Sequence, residues 1–183
     1  MQGNDERDTR SKHGRHVRYI EKFVRATLNR RAVFIGGPRQ VGKTTFALSL
    51  IGTKASTRHK AYLNWDYGPS SEKIRKTTLP LDQPLLVFDE LHKFKLWKRW
   101  IKGGLDVEKG QRKIVVTGSA RLDLYQKGGD SLFGRYRYVR LHPFSLREVA
   151  WLFPRRSIQD IVEGLLKFGG FPEVVLAETE KDK

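Results

Sequence analysis

Gly37-Pro38-Arg39-Gln40-Val41-Gly42-Lys43-Thr44 follows the apolar run Ala32-Val33-Phe34-Ile35 and leads into a helical stretch from Thr44 to Ile51. The spacing is G-x-x-x-x-G-K-[ST], that of a loop whose backbone N–H groups cradle phosphate oxygens. Gly37 and Gly42 permit backbone angles and a close approach that a Cβ would block. Inward-pointing N–H groups and the positive end of the following helix then favour an anion. Lys43 is expected on the β- and γ-phosphates of a nucleoside triphosphate, and the Thr44 hydroxyl on magnesium. Pro38 stiffens the loop and Arg39 adds positive charge at its mouth. Gln40, Val41 and Thr45 complete the segment expected to bind nucleotide. A glycine-rich turn with a coincidental lysine is the competing reading, and the strand-loop-helix setting argues against it.

Outward from the loop, four more segments have strand character: Lys60 to Asn64, Pro84 to Phe88, Lys113 to Thr117 and Arg135 to Leu141. The second and third of these are nearly continuous apolar runs, as in parallel strands buried on both faces. Helical character marks Val17 to Leu28, where Phe23 widens the apolar stripe, and Leu96 to Glu108, where Trp97, Trp100, Ile101 and Leu105 share one face. Ser145 to Phe153 and Ser157 to Phe168 each open on a serine, and Glu148 sits three residues after Ser145 as a capping-box partner. Strands alternating with helices predict an α/β fold, a three-layer αβα sandwich around a parallel sheet.

Leu85-Leu86-Val87-Phe88-Asp89-Glu90 ends an apolar strand in two carboxylates. Ligands of parallel sheets sit at the carboxyl ends of strands, so Asp89 is expected beside Thr44 as a magnesium ligand. Glu90 is then expected to orient and polarise the water that attacks the γ-phosphate. Such a pair favours hydrolysis over a kinase-type transfer. The bland alternative for Glu90 is a helix cap or a solvated side chain. Ile114-Val115-Val116-Thr117-Gly118-Ser119 repeats the design, and Ser119 or Thr117 is a candidate to bond the attacking water or the γ-phosphate, against an ordinary serine-glycine turn. Arg135, or Arg121, is a candidate for a guanidinium that stabilises transition-state charge. Asn64, Asp66 and Tyr67 end the second strand at the edge of this region.

At 183 residues, with 38% hydrophobic and 31% charged residues, the chain has the size and composition of one globular domain. No apolar run reaches the roughly 20 residues of a membrane span. The hydrophilic start lacks the apolar core of a secretory signal. There is no cysteine, which excludes disulfides and thiolate metal sites, and the histidines lack metal-binding spacing. A cytoplasmic protein is expected. The net charge of +16 bears on partners and not on fold. It attracts nucleic acid, another polyanion or the triphosphate itself, or belongs to a solvated surface. A nucleic-acid-binding module, with nucleotide in a structural or regulatory role, is therefore the alternative to an enzyme.

Beyond the loop, specific strings recur: Tyr62-Leu63-Asn64-Trp65-Asp66, Leu91-His92-Lys93 after the acidic pair, Val116-Thr117-Gly118-Ser119-Ala120-Arg121, Leu132-Phe133-Gly134-Arg135, Leu141-His142-Pro143-Phe144-Ser145-Leu146-Arg147-Glu148 and Phe168-Gly169-Gly170-Phe171-Pro172-Glu173. With the segment Phe34 to Phe46, these make the chain resemble prokaryotic AAA-like P-loop ATPases that carry a C-terminal domain of unknown function. The resemblance implies a five-stranded parallel sheet of order 5-1-4-3-2, ATP and Mg2+ as cofactors, Ser119 as polar sensor and Arg135 as charge-stabilising arginine. The polar start is read as a flexible basic N-terminus over residues 1–16, ahead of an ATPase core over 17–153; relative to that family, 154–183 is read as the start of a truncated helical region.

Overall fold

Successive side chains of a strand point to opposite faces of its sheet, and in this chain both faces are apolar. The computed structural model describes residues 18–52, 54–108, 112–118, 132 and 134–177. Five strands, β1 (Ala32–Gly36), β2 (Tyr62–Asn64), β3 (Leu85–Asp89), β4 (Lys113–Thr117) and β5 (Tyr136–Arg140), form one sheet of order β2-β3-β4-β1-β5. Every pairing is parallel. This is the expected order 5-1-4-3-2 read from the other edge. All residues of β1 and β3 are buried, as befits interior strands covered on both sides.

Residues of one parity, Val33, Ile35, Leu85, Val87 and Val115, pack with Ile20, Val24, Leu28, Phe46, Ala47 and Leu50. That layer is built by helix α1 (Glu21–Thr27) and helix α2 (Lys43–Ile51). Residues of the other parity, Phe34, Leu86, Phe88, Ile114 and Val116, pack with Ile74, Trp97 and Ile101. These come from α3 (Gly68–Lys76) and α4 (Trp97–Glu108). The result is the αβα sandwich. Trp97 and Trp100 lie against Phe34 and Phe88, with ring centroids 5.5 and 5.2 Å apart, so the tryptophans serve the core, as their helical spacing implied.

Helix α1 is shorter than its periodicity suggests, and Phe23 is 51% exposed. Its stripe is Ile20, Val24 and Leu28; Phe23 lies outside it. Helix α3 was hidden in the sequence because Gly68-Pro69-Ser70-Ser71-Glu72 carries no apolar period. It is started by proline in the first turn and anchored by Ser70, Ser71 and Ile74. Edge strand β5 exposes Arg137 and Arg140, charges that discourage edge-to-edge pairing.

Three further helices, α5 (Leu146–Leu152), α6 (Ile158–Phe168) and α7 (Pro172–Ala177), gather a separate apolar cluster of Phe144, Val149, Ile161 and Val175. The capping box of Ser145 and Glu148 is present, and Ser157 accepts from the Asp160 amide. Gly170 is needed where the chain passes Phe144: a Cβ there would lie 2.4 Å from the Phe144 carbonyl oxygen. The two residues are joined by a bond from the Phe144 amide to the Gly170 carbonyl, 2.7 Å.

The helical cluster is tied to the sandwich by a buried ion pair. Arg18 Nε donates to Glu148 Oε1 at 2.8 Å, and its other nitrogens donate to the carbonyls of Val41 and His142 at 3.0 and 2.5 Å. Burial alone would raise the Glu148 carboxyl, yet donors from Ser145, Arg18 and the Tyr19 amide hold it below the usual glutamate range. A carboxyl lowered by folding stabilises the fold above its unfolded value, and that contribution is lost as pH falls through the folded value. Glu148→Ala, which strands the buried guanidinium, is expected to cost about 3–5 kcal/mol in denaturant unfolding. Glu148→Gln is expected to flatten the acid limb of thermal stability against pH; an acid limb as steep as the parent's would count against the assignment.

Candidate functional site

The loop from Gly37 to Gly42 lies at the carboxyl end of β1 and feeds directly into α2. Gly37 has φ 145°, and a Cβ on it would come within 2.3 Å of the Leu141 carbonyl oxygen, so the first glycine of the motif is a packing requirement as well as a conformational one. Gly42 precedes α2 at φ 89°, and no side chain caps the helix there. The first-turn amides of α2 thus present an uncapped, positively polarised end to the loop. Gln40 has φ 61°, an αL conformation that a non-glycine residue adopts at a cost.

Lys43 spans the loop, donating from Nζ to the carbonyls of Gly37 at 3.1 Å and Pro38 at 2.5 Å. Burial lowers its pKa, and the carboxylates of Glu90 and Asp89 pull it back up, while Arg39 lowers it further. The ammonium therefore stands within the field of both acids, which are distant in sequence.

Asp89 is the centre of the arrangement. The residue is 6% exposed, and its carboxylate accepts from three hydroxyls. Thr44 Oγ1 donates to Oδ2 at 2.9 Å, Tyr62 Oη donates to the same oxygen at 2.6 Å, and Thr117 Oγ1 donates to Oδ1. The register explains the convergence: Asn64, Asp89 and Thr117 are aligned across β2, β3 and β4. Tyr62 lies two residues before Asn64, and its phenol reaches forward along the strand direction. Burial first, and then the Asp89 hydrogen bond and charge, push the Tyr62 phenol well above its ordinary value, so it remains a donor.

Glu90 leaves β3 with φ 55° and ψ 21°. Its amide donates to the Thr117 carbonyl at 3.0 Å, which fixes this left-handed turn against β4. Its side chain caps nothing on the short 3-10 turn that follows at Leu91–Lys93, so the helix-cap reading fails. The carboxylate is a quarter exposed, with His92 Nε2 at 3.7 Å and Lys93 Nζ at 3.6 Å.

Thr44, Asp89 and Thr117 are thus brought together, with Lys43 and Glu90 beside them. Thr117, one of two candidate sensors, is fully buried and donates to Asp89. Ser119 and Arg121 lie outside the described residues. Arg135 is not brought to this group. It precedes β5, its carbonyl accepts from the Ala32 amide at the start of β1, and its guanidinium pairs with Asp106 at 2.8 Å. That is the amino edge of the sheet, opposite the loop. Asp66 pairs with Lys93, Asn64 accepts from the Asp66 amide, and Tyr67 is exposed. Tyr62 is the site residue that the motifs missed. Its signal was position alone, an aromatic hydroxyl two residues from a strand's carboxyl end.

Thr44 and Asp89 supply two hard oxygen donors at adjacent positions, the set that magnesium takes when phosphates and waters complete its shell. No cluster of three or more histidine, cysteine or carboxylate ligands occurs among the described residues.

A family model described as an AAA domain matches residues 29–150. No curated protein matches the sequence. The fold is similar to that of a signal transduction ATPase with numerous domains bearing a tetratricopeptide repeat sensor, from Pyrococcus horikoshii, at TM-score 0.53 and 14% identity over 87% of this chain and 29% of that one. It is similar to the Thermotoga maritima RuvB Holliday junction branch migration motor at TM-score 0.52 and 18% identity, over 88% of this chain and 59% of that one. A third likeness is to Hsp104 of S. cerevisiae in its ADP complex, at TM-score 0.51 and 16% identity, over 87% of this chain and 30% of that one. The chain spans less than two thirds of each of these proteins, and at such identities the likeness speaks for the fold. With the family model covering the loop, the acidic strand end and all five strands from end to end, the chain belongs to the AAA domain family (AAA_14).

Proposed function

We propose that the chain binds ATP with Mg2+ and hydrolyses it to water, and that hydrolysis drives a change of shape. The observation that carries this reading is the 2.9 Å hydrogen bond between Thr44 and Asp89, which joins the loop to the acidic strand end across 45 residues of sequence. Magnesium-bound triphosphate supplies a γ-phosphorus open to in-line attack by water. Lys43 holds the phosphates from the side of the loop, and the loop and first-turn amides, from Gly37 to Thr45, bind their oxygens. Thr44 and Asp89 hold the cation. Glu90 orients the attacking water and takes up its proton. Tyr62 and Thr117 keep the Asp89 carboxylate aimed toward Thr44.

The switch is assigned to the carboxyl edge of the sheet. Thr117 leads directly to Ser119, proposed as the sensor of the γ-phosphate. Arg18 links the Val41 carbonyl in the loop to Glu148 on α5, so a shift of the loop is felt by the helical cluster. In this division the ATPase core is 17–153, and 154–183 begins a helical region. Arg135 acts, where it acts, on the site of a neighbouring copy. Among the described residues no helix is long and apolar enough to cross a membrane, and a cytoplasmic setting suits the reading.

Lys43→Ala is expected to abolish ATP binding by calorimetric titration. Glu90→Gln is expected to bind ATP as the parent does and to lose about 100-fold or more in turnover. Equal ATPase rates for Glu90→Gln and the parent would falsify the role of Glu90. Tyr62→Phe is expected to weaken ATP binding several-fold with magnesium present and to leave it unchanged in chelator; an equal loss under both conditions would make Tyr62 a structural residue only.

A further inference from the structure

From Leu91 to Leu105 the sequence carries Lys93, Lys95, Lys98, Arg99 and Lys102 and no carboxylate. Most of that stretch is α4, and its two faces have different fates. Trp97 and Ile101 are buried against the sheet, with Trp100 and Leu105 beside them. The solvent side holds Lys98, Arg99 and Lys102, with Lys95 just before the helix. Lys95 and Arg99 are exposed, and Lys98 and Lys102 are partly so.

Neighbouring acids are committed elsewhere. Asp66 pairs with Lys93, Glu72 with Lys76 and Asp106 with Arg135. Among the described residues Lys95, Arg99 and Lys102 have no ion-pair partner within 4 Å. Helix α3 lies alongside, joined through a bond from Trp100 Nε1 to Thr77 Oγ1 at 3.2 Å, and adds the exposed Lys73. The row from Lys95 to Lys102 extends about 10 Å at helical rise, the axial length of about three phosphates on one strand of a duplex.

We infer that the solvent face of α4, with Lys95, Lys98, Arg99 and Lys102, docks the phosphate backbone of duplex DNA. Two features select this polyanion. The apolar face of the helix is consumed by its own sheet, so among the described residues the exposed large apolar side chain here is Leu96, just before α4, too little to sink into a bilayer. Its tryptophans also face inward, which removes the stacking platform that single strands use. What is left is a row of charges suited to sequence-independent contact with a regular backbone. The surface is carried by the helix layer that packs on Phe34, Phe88 and Val116. It is separate from the loop and acidic pair, so the inference does not rest on the ATPase reading.

The test uses the full chain and a fluorescent duplex of random sequence, with affinity measured by anisotropy across a salt series. The triple variant Lys95→Glu/Arg99→Glu/Lys102→Glu is compared with Lys22→Glu/Arg30→Glu/Arg31→Glu, an equal charge change at exposed positions in and just after α1, on the other side of the sheet. Thermal unfolding and far-ultraviolet circular dichroism check that each variant is folded. The α4 triple is expected to weaken binding at least tenfold at moderate salt. It should also reduce the slope of log affinity against log salt by about 2–3, with the α1 triple retaining the parent's slope. Equal losses in the two triples would assign any binding to net charge and overturn the surface. So would an absence of duplex binding by the parent at low salt, or binding by the parent to phosphatidylserine vesicles that the α4 triple abolishes while duplex binding persists.

Discussion

A carboxylate buried at the end of an interior strand is the constraint on which the carboxyl edge of this fold depends. Removing Asp89 from water without donors would cost several kcal/mol. Here three hydroxyls answer it, from the helix after the loop, from β2 and from β4. Each donor fixes a different piece of chain. Thr44 sets the start of α2 against the sheet, Tyr62 holds edge strand β2 in place, and Thr117 sets where β4 ends. The same hydroxyls that make Asp89 tolerable in the interior also fix its orientation toward Thr44, which the proposed cation site requires.

Parity of side chains along the strands was the most legible feature. Val33, Ile35 and Val115 against Phe34, Phe88 and Val116 divide into two apolar faces that any parallel sheet of this composition must cover twice. Helices whose cover is apolar and periodic, such as α4 with Trp97 and Ile101, were therefore visible. Helix α3 was not, because its buried side is mostly serine and its only large apolar anchor is Ile74. Phe23 misled for the opposite reason, as an apolar residue that the packed stripe does not use.

The site was legible where chemistry is written in backbone spacing. A glycine-framed loop and a carboxylate pair at a strand end carry their own geometry, and Thr44 and Asp89 meet as that spacing requires. Partners that depend on tertiary register carry no such mark. Tyr62 reaches Asp89 because β2 and β3 align Tyr62 with Val87 and Asn64 with Asp89, a fact of pairing that no local string contains. Arg135 illustrates the converse. Its neighbours in sequence look like those of a charge-stabilising arginine, but β5 pairs with β1 from Tyr136 opposite Ala32 onward, and that register sends it to the edge away from the loop.

The conformation of Glu90 adds a last step. An L-residue at φ 55° is strained by about 1–3 kcal/mol, and two devices hold it: the amide bond to Thr117 and the 3-10 turn beginning at Leu91, itself fully buried. Had the chain continued as an extended strand, side-chain alternation would have turned residue 90 away from the face that Asp89 occupies. The left-handed turn instead leaves the Glu90 carboxylate in the field of Lys43. The strained turn is the local means by which two adjacent acids both act on the charge of Lys43, and the backbone of β4 is what sustains it. Because Thr117 both donates to Asp89 and accepts from Glu90, any displacement at the end of β4 moves the two acids together.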